Sequence, residues 1–226
     1  MDLQSNLHNC QNQITKTSQI SNLPMDLQVQ KNRGDLTLGQ PGISTGVNQI
    51  DDYLFWQGIP QGELSLLHGL PGTGATSLWI RMLQKVSGSG RMAAWINSES
   101  QLMPAYLQQV NVKLDKVLVV REPKNHSQTF AILQELITSS LFETVGCHLK
   151  EFFFKNHQLE RLKQLARQYQ VALVFIAQKP LDLINPLLSL IIEFKKEFIT
   201  IKRALHRHAP YSFGRENEGV LLWNNL

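Results

Sequence analysis

The sequence predicts an α/β fold in which a mostly parallel sheet is flanked by helices, with antiparallel strands appended at the C-terminal end. Short, nearly continuous apolar runs alternate with segments of helical periodicity, which is typical of parallel strands buried on both faces. Near the end of the chain, apolar runs follow one another without a helix between them, as antiparallel strands do. Strands are expected at 63–68, 92–96, 117–120, 144–149 and 171–176, then at 187–193, 197–202 and 219–223.

Helices are expected between these strands wherever apolar residues recur at helical spacing. Ser44-Thr45-Gly46 resembles a helix start, and apolar residues follow it at that spacing. The stripe formed by Phe130, Leu133, Leu136 and Ile137 predicts an amphipathic helix. The remaining helices are expected at about 76–86, 104–110 and 159–169.

Length and composition indicate a globular domain. The chain has 226 residues, of which 42% are hydrophobic, and 22 Lys and Arg against 18 Asp and Glu give a formal charge of +4. A chain of this length buries roughly 70–75% of its unfolded surface, so it needs no disulfide or metal to hold a core. The two cysteines, Cys10 and Cys147, form no CxxC pair, and no run approaches the roughly 20 apolar residues of a membrane span. We therefore expect a cytoplasmic protein with no membrane contact.

The first 40 residues differ from the rest. Asparagine and glutamine are abundant there and large apolar residues are few. Such a segment buries too little surface to offset the entropy of ordering it. The sequence thus predicts a polar, disordered tail over 1–40 and a folded domain over 41–226.

A glycine-rich loop lies between the first expected core strand and the next helix. Its position and spacing match a phosphate-binding P-loop, GxxxxGK[ST], except that alanine replaces the lysine. In a working loop the backbone amides cradle the phosphates, the lysine reaches the β- and γ-phosphates, and the following hydroxyl holds Mg²⁺. The candidate nucleotide-binding residues are Gly69, Gly72, Thr73, Gly74, Ala75, Thr76 and Ser77.

The missing lysine bears on the chemistry of the loop. A hydrogen bond to a charged group contributes about 1.5–3 kcal/mol, so its loss weakens nucleotide binding by about ten- to hundred-fold. The lysine also stabilises charge that develops at the γ-phosphate during hydrolysis. We expect a structural turn and no cofactor; residual binding of ATP and Mg²⁺, and a working ATPase, remain as alternatives.

Several segments together resemble the RecA recombinase core over about residues 38–203. Ser44-Thr45-Gly46 and the turn from Gly58 to Glu63 are similar to the family's approach to its first core strand. The stretch Ile96–Tyr106 is similar to the RecA segment that carries the glutamate activating the attacking water. The resemblance implies a RecA-like P-loop fold.

The resemblance also assigns three further positions. Glu99 falls at the activating glutamate, and Gln178 at the glutamine that senses the γ-phosphate. The position of the Mg²⁺-associated Walker B aspartate falls on His148. With the lysine and this carboxylate both replaced, we expect no catalytic residues, and Glu99 and Gln178 are vestigial candidates only.

Within this superfamily the chain resembles the ImuA and SulA-related proteins, which keep a RecA-like core with a degraded nucleotide site. An ImuA-type protein is a non-catalytic accessory of the SOS response to DNA damage and supports error-prone translesion synthesis. Its implied partners are a polymerase-like ImuB-type protein, an error-prone replicative-type polymerase, RecA and DNA. The alternative is a SulA-like inhibitor of cell division that binds FtsZ. The matching segments are 69–74, 94–96, 104–107, 112–121, Pro123 and 199–203.

The C-terminal region, expected to form a β-hairpin over about 187–226, is basic. Between residues 195 and 215, six basic residues stand against one acid, Glu197, and Tyr211 and Phe213 are expected at the tip. This pattern favours contact with nucleic acid, while a protein partner and a solvated face stay open. No carboxylate or cysteine lies close in sequence to His206 and His208 to complete a metal site. The candidate binding residues are Lys195, Lys196, Lys202, Arg203, Arg207 and Arg215.

Overall fold

The computed structural model describes residues 42–97, 104–121, 125–178, 185–205 and 210–214. They form one eight-stranded sheet with the strand order β3-β2-β4-β5-β1-β6-β7-β8. The first six strands run parallel, whereas β7 is antiparallel to β6 and β8 to β7. The strands are β1 (Leu64–Gly69), β2 (Met92–Asn97), β3 (Val117–Arg121), β4 (Phe142–Leu149), β5 (Ala172–Ala177), β6 (Leu190–Phe194), β7 (Phe198–Ala204) and β8 (Tyr211–Gly214).

Helices connect the parallel strands, as the alternating pattern predicts. The described helices are α1 (Asn48–Tyr53), α2 (Ala75–Gly88), α3 (Pro104–Gln109), α4 (His126–Thr138) and α5 (Asn156–Tyr169), with a 3₁₀ turn at Leu114–Lys116. None of them is both long and apolar enough to cross a membrane. The α/β class with antiparallel strands at the C-terminal end is thereby confirmed.

Two details of the C-terminal end differ from the sequence prediction. The strand expected at 187–193 appears as β6, which pairs parallel to β1 rather than antiparallel. Twelve residues separate β5 from β6, which is long enough for the crossover that a parallel strand requires. Tyr211 and Phe213 lie within β8 and not at the tip of a hairpin. The strand expected at 219–223 and the tail over 1–40 lie outside the described residues.

The sheet separates two hydrophobic layers. One packs α1 and α2 against the sheet and includes Trp79 and Trp95, whose rings meet edge to face at 6.3 Å between centroids. The other packs α4 and α5 against the opposite face and includes Phe154 and Phe175. With both faces covered, the carboxyl ends of the parallel strands remain as an edge where polar residues collect.

An ion network fastens α5 to the amino end of the sheet. Glu63, just before β1, accepts hydrogen bonds from Arg167 Nε at 3.0 Å and Nη2 at 2.7 Å, and pairs with Lys163 Nζ at 3.0 Å. The Ser189 hydroxyl donates to the same carboxylate. Burial raises the pKa of Glu63, but the hydrogen bonds from Ser189, Arg167 and Lys163 outweigh it and leave that pKa below its ordinary value. This carboxylate is therefore held ionised.

Candidate functional site

The glycine-rich loop lies at the carboxyl edge of the sheet. Gly69 is the last residue of β1, and Ala75 is the first residue of α2. In an open α/β sheet, ligands bind at this edge, beyond the ends of the parallel strands. The segment Gly69–Ser77 thus lies between the end of β1 and the first turn of α2, and its nucleotide-binding role stays a prediction.

Glycine is required at two points of this loop. A Cβ atom at Gly69 would lie 2.6 Å from the carbonyl oxygen of Phe194 on the neighbouring strand, so the backbones are in close contact. Gly74, which precedes α2, has a φ of 100°, a conformation that residues with a side chain rarely adopt. The tight turn is closed by Thr73, whose amide and hydroxyl donate to the Leu70 carbonyl at 3.0 and 2.6 Å.

The first turn of α2 offers backbone amides to the loop. No side chain caps the helix, and the first intrahelical bond runs from Leu78 N to Gly74 O at 3.0 Å. The amides of Ala75, Thr76 and Ser77 therefore have no helical acceptor, as at any helix N-terminus. The backbone arrangement of a phosphate cradle is retained, and Thr76 occupies the usual sequence position of the hydroxyl residue.

The charge of a phosphate loop is not retained at Ala75. Its methyl group is 6% exposed and belongs to the core layer beneath α2. A lysine at this position would carry the cation that faces the β- and γ-phosphates. The residues present therefore fit the backbone cradle of a nucleotide site and do not fit its electrostatics, and no hydrolytic step follows from them.

The neighbouring strand ends carry polar residues. His148, near the end of β4, is 3% exposed and lies in register between Asn97 on β2 and Ile176 on β5. Gln178 follows β5, and its amide donates to the Leu149 carbonyl at 3.3 Å. An imidazole occupies the position where the resemblance places a Mg²⁺-binding carboxylate. Glu99 lies outside the described residues, and within these no group of three or more His, Cys, Asp or Glu side chains is arranged to hold a metal ion.

A charged cluster lies beside the loop on β6 and β7. Glu193, which stands in register with His68 of β1, has its Oε2 atom 3.3 Å from Lys195 Nζ and 3.0 Å from Lys202 Nζ. Burial raises the pKa of Glu193, but the two ammonium groups outweigh it and lower that pKa below its ordinary value. Lys202 reaches the carboxylate from a bulge in β7, where Ile201 pairs with Ile192 and Arg203 with Ile191. Two of the predicted basic residues are thus partly neutralised.

His68 is buried against this cluster at 4% exposure, and its Nδ1 atom has no hydrogen-bond partner among the described residues. Burial lowers the pKa of His68. The Glu193 carboxylate acts to raise it, while Lys202 and Lys195 act to lower it. The imidazole is therefore neutral near pH 7.

Of the other predicted basic residues, the structure describes Lys196 and Arg203. Lys196 is exposed at the turn between β6 and β7 and has no partner within the described part of the chain. Arg203 Nη2 donates to the Pro186 carbonyl at 3.4 Å. Arg207 and Arg215 lie outside the described residues.

Sequence reasoning missed Glu193 and His68. Glu193 lies two residues before the segment over which the basic residues were counted, and His68 lies inside an apolar strand. The signal that could have found them is the strand register, because β6 pairs with β1 across these two residues.

A glycine-rich loop between β1 and α2, at the carboxyl edge of a mostly parallel sheet, defines an α/β protein with the loop position of a P-loop fold. The family model of the RecA N-terminal domain matches residues 12–146, and the chain belongs to this family. The match begins within the first 40 residues, inside the segment for which the sequence predicts a tail.

Curated relatives agree with this assignment. The RecA protein of Legionella pneumophila (strain Corby) is 32% identical over 114 residues, which cover 50% of this chain and 32% of the relative. The RecA protein of Caulobacter vibrioides (strain NA1000 / CB15N) is 30% identical over 116 residues, covering 49% of this chain and 32% of the relative. The RecA protein of Desulfotalea psychrophila is 30% identical over 131 residues, covering 55% of this chain and 37% of the relative. The aligned part thus spans about a third of these relatives.

Proposed function

We propose that this chain is a non-catalytic RecA-like accessory protein of the DNA-damage response, of ImuA type, which supports error-prone translesion synthesis. The observation that carries the proposal is Ala75 at the first residue of α2, in the place of the P-loop lysine. Membership of the RecA N-terminal domain family supports a role connected with DNA.

The chemistry of the loop supports a role without ATP hydrolysis. Phosphoryl transfer depends on positioned cations that neutralise charge at the γ-phosphate. Here a buried methyl group replaces the lysine, and His148 stands where the resemblance puts the metal-binding carboxylate. The helix amides alone bind an anion weakly, since each contributes only a partial charge.

A protein without turnover acts through binding, and the proposed partners follow from the ImuA-type resemblance. They are a polymerase-like ImuB-type protein, an error-prone replicative-type polymerase and RecA, with DNA as a further ligand. The exposed Lys196 beside the Glu193 cluster gives the carboxyl edge a surplus of positive charge, which supports contact with a polyanion or an acidic surface.

Restoring the missing charge tests the loop. We expect Ala75→Lys to tighten ATP binding by about ten- to hundred-fold, measured by equilibrium dialysis with Mg²⁺. Ala75→Met is the matched control, because it adds similar length without the charge, and should leave binding unchanged. ATP turnover by the natural chain that Thr76→Ala or Glu99→Ala abolishes would contradict the proposal.

The accessory role has its own test. The full chain should bind a purified polymerase-like ImuB-type protein in size-exclusion chromatography, with or without ATP. The role would be contradicted if binding required ATP. It would also be contradicted if the chain formed a complex with none of the three proposed protein partners.

A further inference from the structure

A polar cleft of about 420 Å³ lies at the amino edge of the sheet, at the end opposite the glycine-rich loop. Gln61 precedes β1, Arg91 precedes β2 and Glu143 is the second residue of β4, so all three stand where parallel strands begin. The C-terminal turns of α2 form another wall. The lining residues are Gly42, Ile43, Ser44, Gln61, Lys85, Val86, Ser89, Arg91 and Glu143.

Only one oxygen of the Glu143 carboxylate has a hydrogen-bond donor within the described part of the chain. Its side chain is 11% exposed, and Oε1 accepts hydrogen bonds from Gln61 Nε2, at 2.9 Å, and from Arg91 Nη1. None of the described residues donates to Oε2. Burial raises the pKa of Glu143, and Arg91 and Gln61 offset this only in part. A carboxylate in this state gains from a further hydrogen-bond donor.

Two cations stand on the walls around this carboxylate. Lys85 is exposed on α2 and has no hydrogen-bond or ion-pair partner among the described residues. Arg91 is 61% exposed at its side chain and engages Glu143 through Nη1, which leaves its other donors for a ligand. The hydroxyl groups of the cleft are already committed, Ser44 to Asp51 at 2.7 Å and Ser89 to the Val86 carbonyl at 2.7 Å. The cleft therefore offers an anion site beside a single strong acceptor.

We propose that this cleft binds a short acidic segment of a partner protein. A side-chain carboxylate of the segment pairs with Lys85 and Arg91, and one of its backbone amides donates to Glu143 Oε2. Such a segment supplies an anion for the two cations and, a few ångströms away, an N–H donor for the Glu143 carboxylate. That the segment belongs to a partner rests on the proposed accessory role, whereas the binding of an acidic peptide does not.

Other ligand classes fit less well. None of the lining side chains is aromatic, so a nucleobase would find no stacking surface. A fully ionised phosphate ester carries no hydrogen-bond donor for Glu143 Oε2, whereas a peptide amide does. The volume exceeds that of a single small anion and accommodates a few residues of extended chain.

The test is an amide NMR titration of the full ¹⁵N-labelled chain with an acetylated, amidated hexapeptide that carries two central aspartates in a glycine–serine backbone. We expect shifts at the lining residues, and a dissociation constant at least about tenfold weaker for Lys85→Glu. The matched control is Lys196→Glu, another exposed lysine without a described partner at the opposite edge of the sheet, which should bind as the natural chain does. The rest of the amide spectrum checks that both variants fold.

Absence of peptide binding would overturn the proposal, and so would three other results. The first is that a peptide with asparagine in place of aspartate binds equally well. The second is that Lys196→Glu weakens binding as much as Lys85→Glu does. The third is that inorganic phosphate alone causes the same shifts, which would show an anion site without peptide recognition. Failure of the peptide to bind would leave the Ala75 result untouched, and ATP turnover by the natural chain would leave peptide binding untouched. The two proposals therefore fail separately.

Discussion

The indole of Trp79 lies against the backbone of Gly146. A Cβ atom at Gly146 would come within 2.5 Å of Trp79 Cε2, closer than carbon atoms approach in proteins. This contact joins α2, whose first turn completes the glycine-rich loop, to β4, which carries His148. The ring also packs edge to face on Trp95 of β2. The position of the loop relative to the strand ends thus depends on a glycine in mid-strand.

We expect Gly146→Ala to destabilise the fold by about 1–3 kcal/mol, because the methyl group displaces a large buried ring in a close-packed layer. Urea denaturation followed by tryptophan fluorescence measures the change. Gly88→Ala at the end of α2 is the control, since a Cβ atom there meets nothing within 4 Å and alanine favours the helix. A loss of stability no larger than that of the control would contradict this account of the packing.

The Glu63 network predicts a pH-dependent stability. Because its folded pKa lies below the unfolded value near 4.3, the carboxylate stabilises the fold fully above that value and loses the contribution as pH falls through the folded pKa. We expect Glu63→Gln to cost about 2 kcal/mol at pH 7, since Arg167 and Lys163 lose a charged acceptor. The difference between the two proteins in urea denaturation should shrink below about pH 4.

The control for this network is Glu197→Gln, an exposed carboxylate without a described partner on the turn before β7. It should change the stability by less than about 0.5 kcal/mol at either pH. The prediction would be contradicted if the difference in unfolding free energy between Glu63→Gln and the natural chain grew as the pH fell.

The local sequence pattern was enough to predict much of the fold. The loop was predictable because its glycines and Ala75 fall within seven consecutive residues, and the core strands because each is a short apolar run between helical segments. Strand 92–96 and helix 104–110, for example, appear within one residue of their predicted ends as β2 and α3.

The features that escaped prediction depend on pairing between distant segments. β6 lies inside the sheet between β1 and β7, and its parallel sense is seen only in its pairing with β1, about 125 residues away. The same register brings Glu193 to His68, and the bulge in β7 brings Lys202 to Glu193. A count of charges along the chain therefore treated as free cations two lysines that have an acidic partner.

His68 reports on that cluster through its titration. Since Glu193 acts to raise the pKa of His68 and Lys202 to lower it, Glu193→Gln should lower this pKa further and Lys202→Gln should raise it. NMR of the imidazole protons between pH 4 and pH 8 gives the values. The folded pKa lies below the unfolded value near 6.5, so protonation should destabilise the fold as pH falls below about 6.5.

Lys196→Gln is the control for this titration, because Lys196 has the same charge and lies one residue beyond Lys195 but does not act on His68. It should leave the His68 pKa unchanged. Equal shifts from Lys196→Gln and Lys202→Gln would show that His68 senses the net charge of the region and not the particular arrangement around Glu193.

If DNA binds at the carboxyl edge, Glu193 limits the affinity, because it holds Lys195 and Lys202 in ion pairs. We expect Glu193→Gln to tighten binding of fluorescent oligothymidylate and to steepen its dependence on log salt by about 0.7 for each lysine that gains a phosphate. Glu197→Gln removes the same charge nearby without releasing a paired lysine, so its slope should match that of the natural chain. Fluorescence anisotropy over a range of salt concentrations measures the affinity and its salt dependence.

Two outcomes would contradict this prediction. An equal increase in affinity for the two variants would mean that general charge, and not release of these lysines, controls binding. A decrease in affinity for Glu193→Gln would show that the paired geometry itself is the binding form.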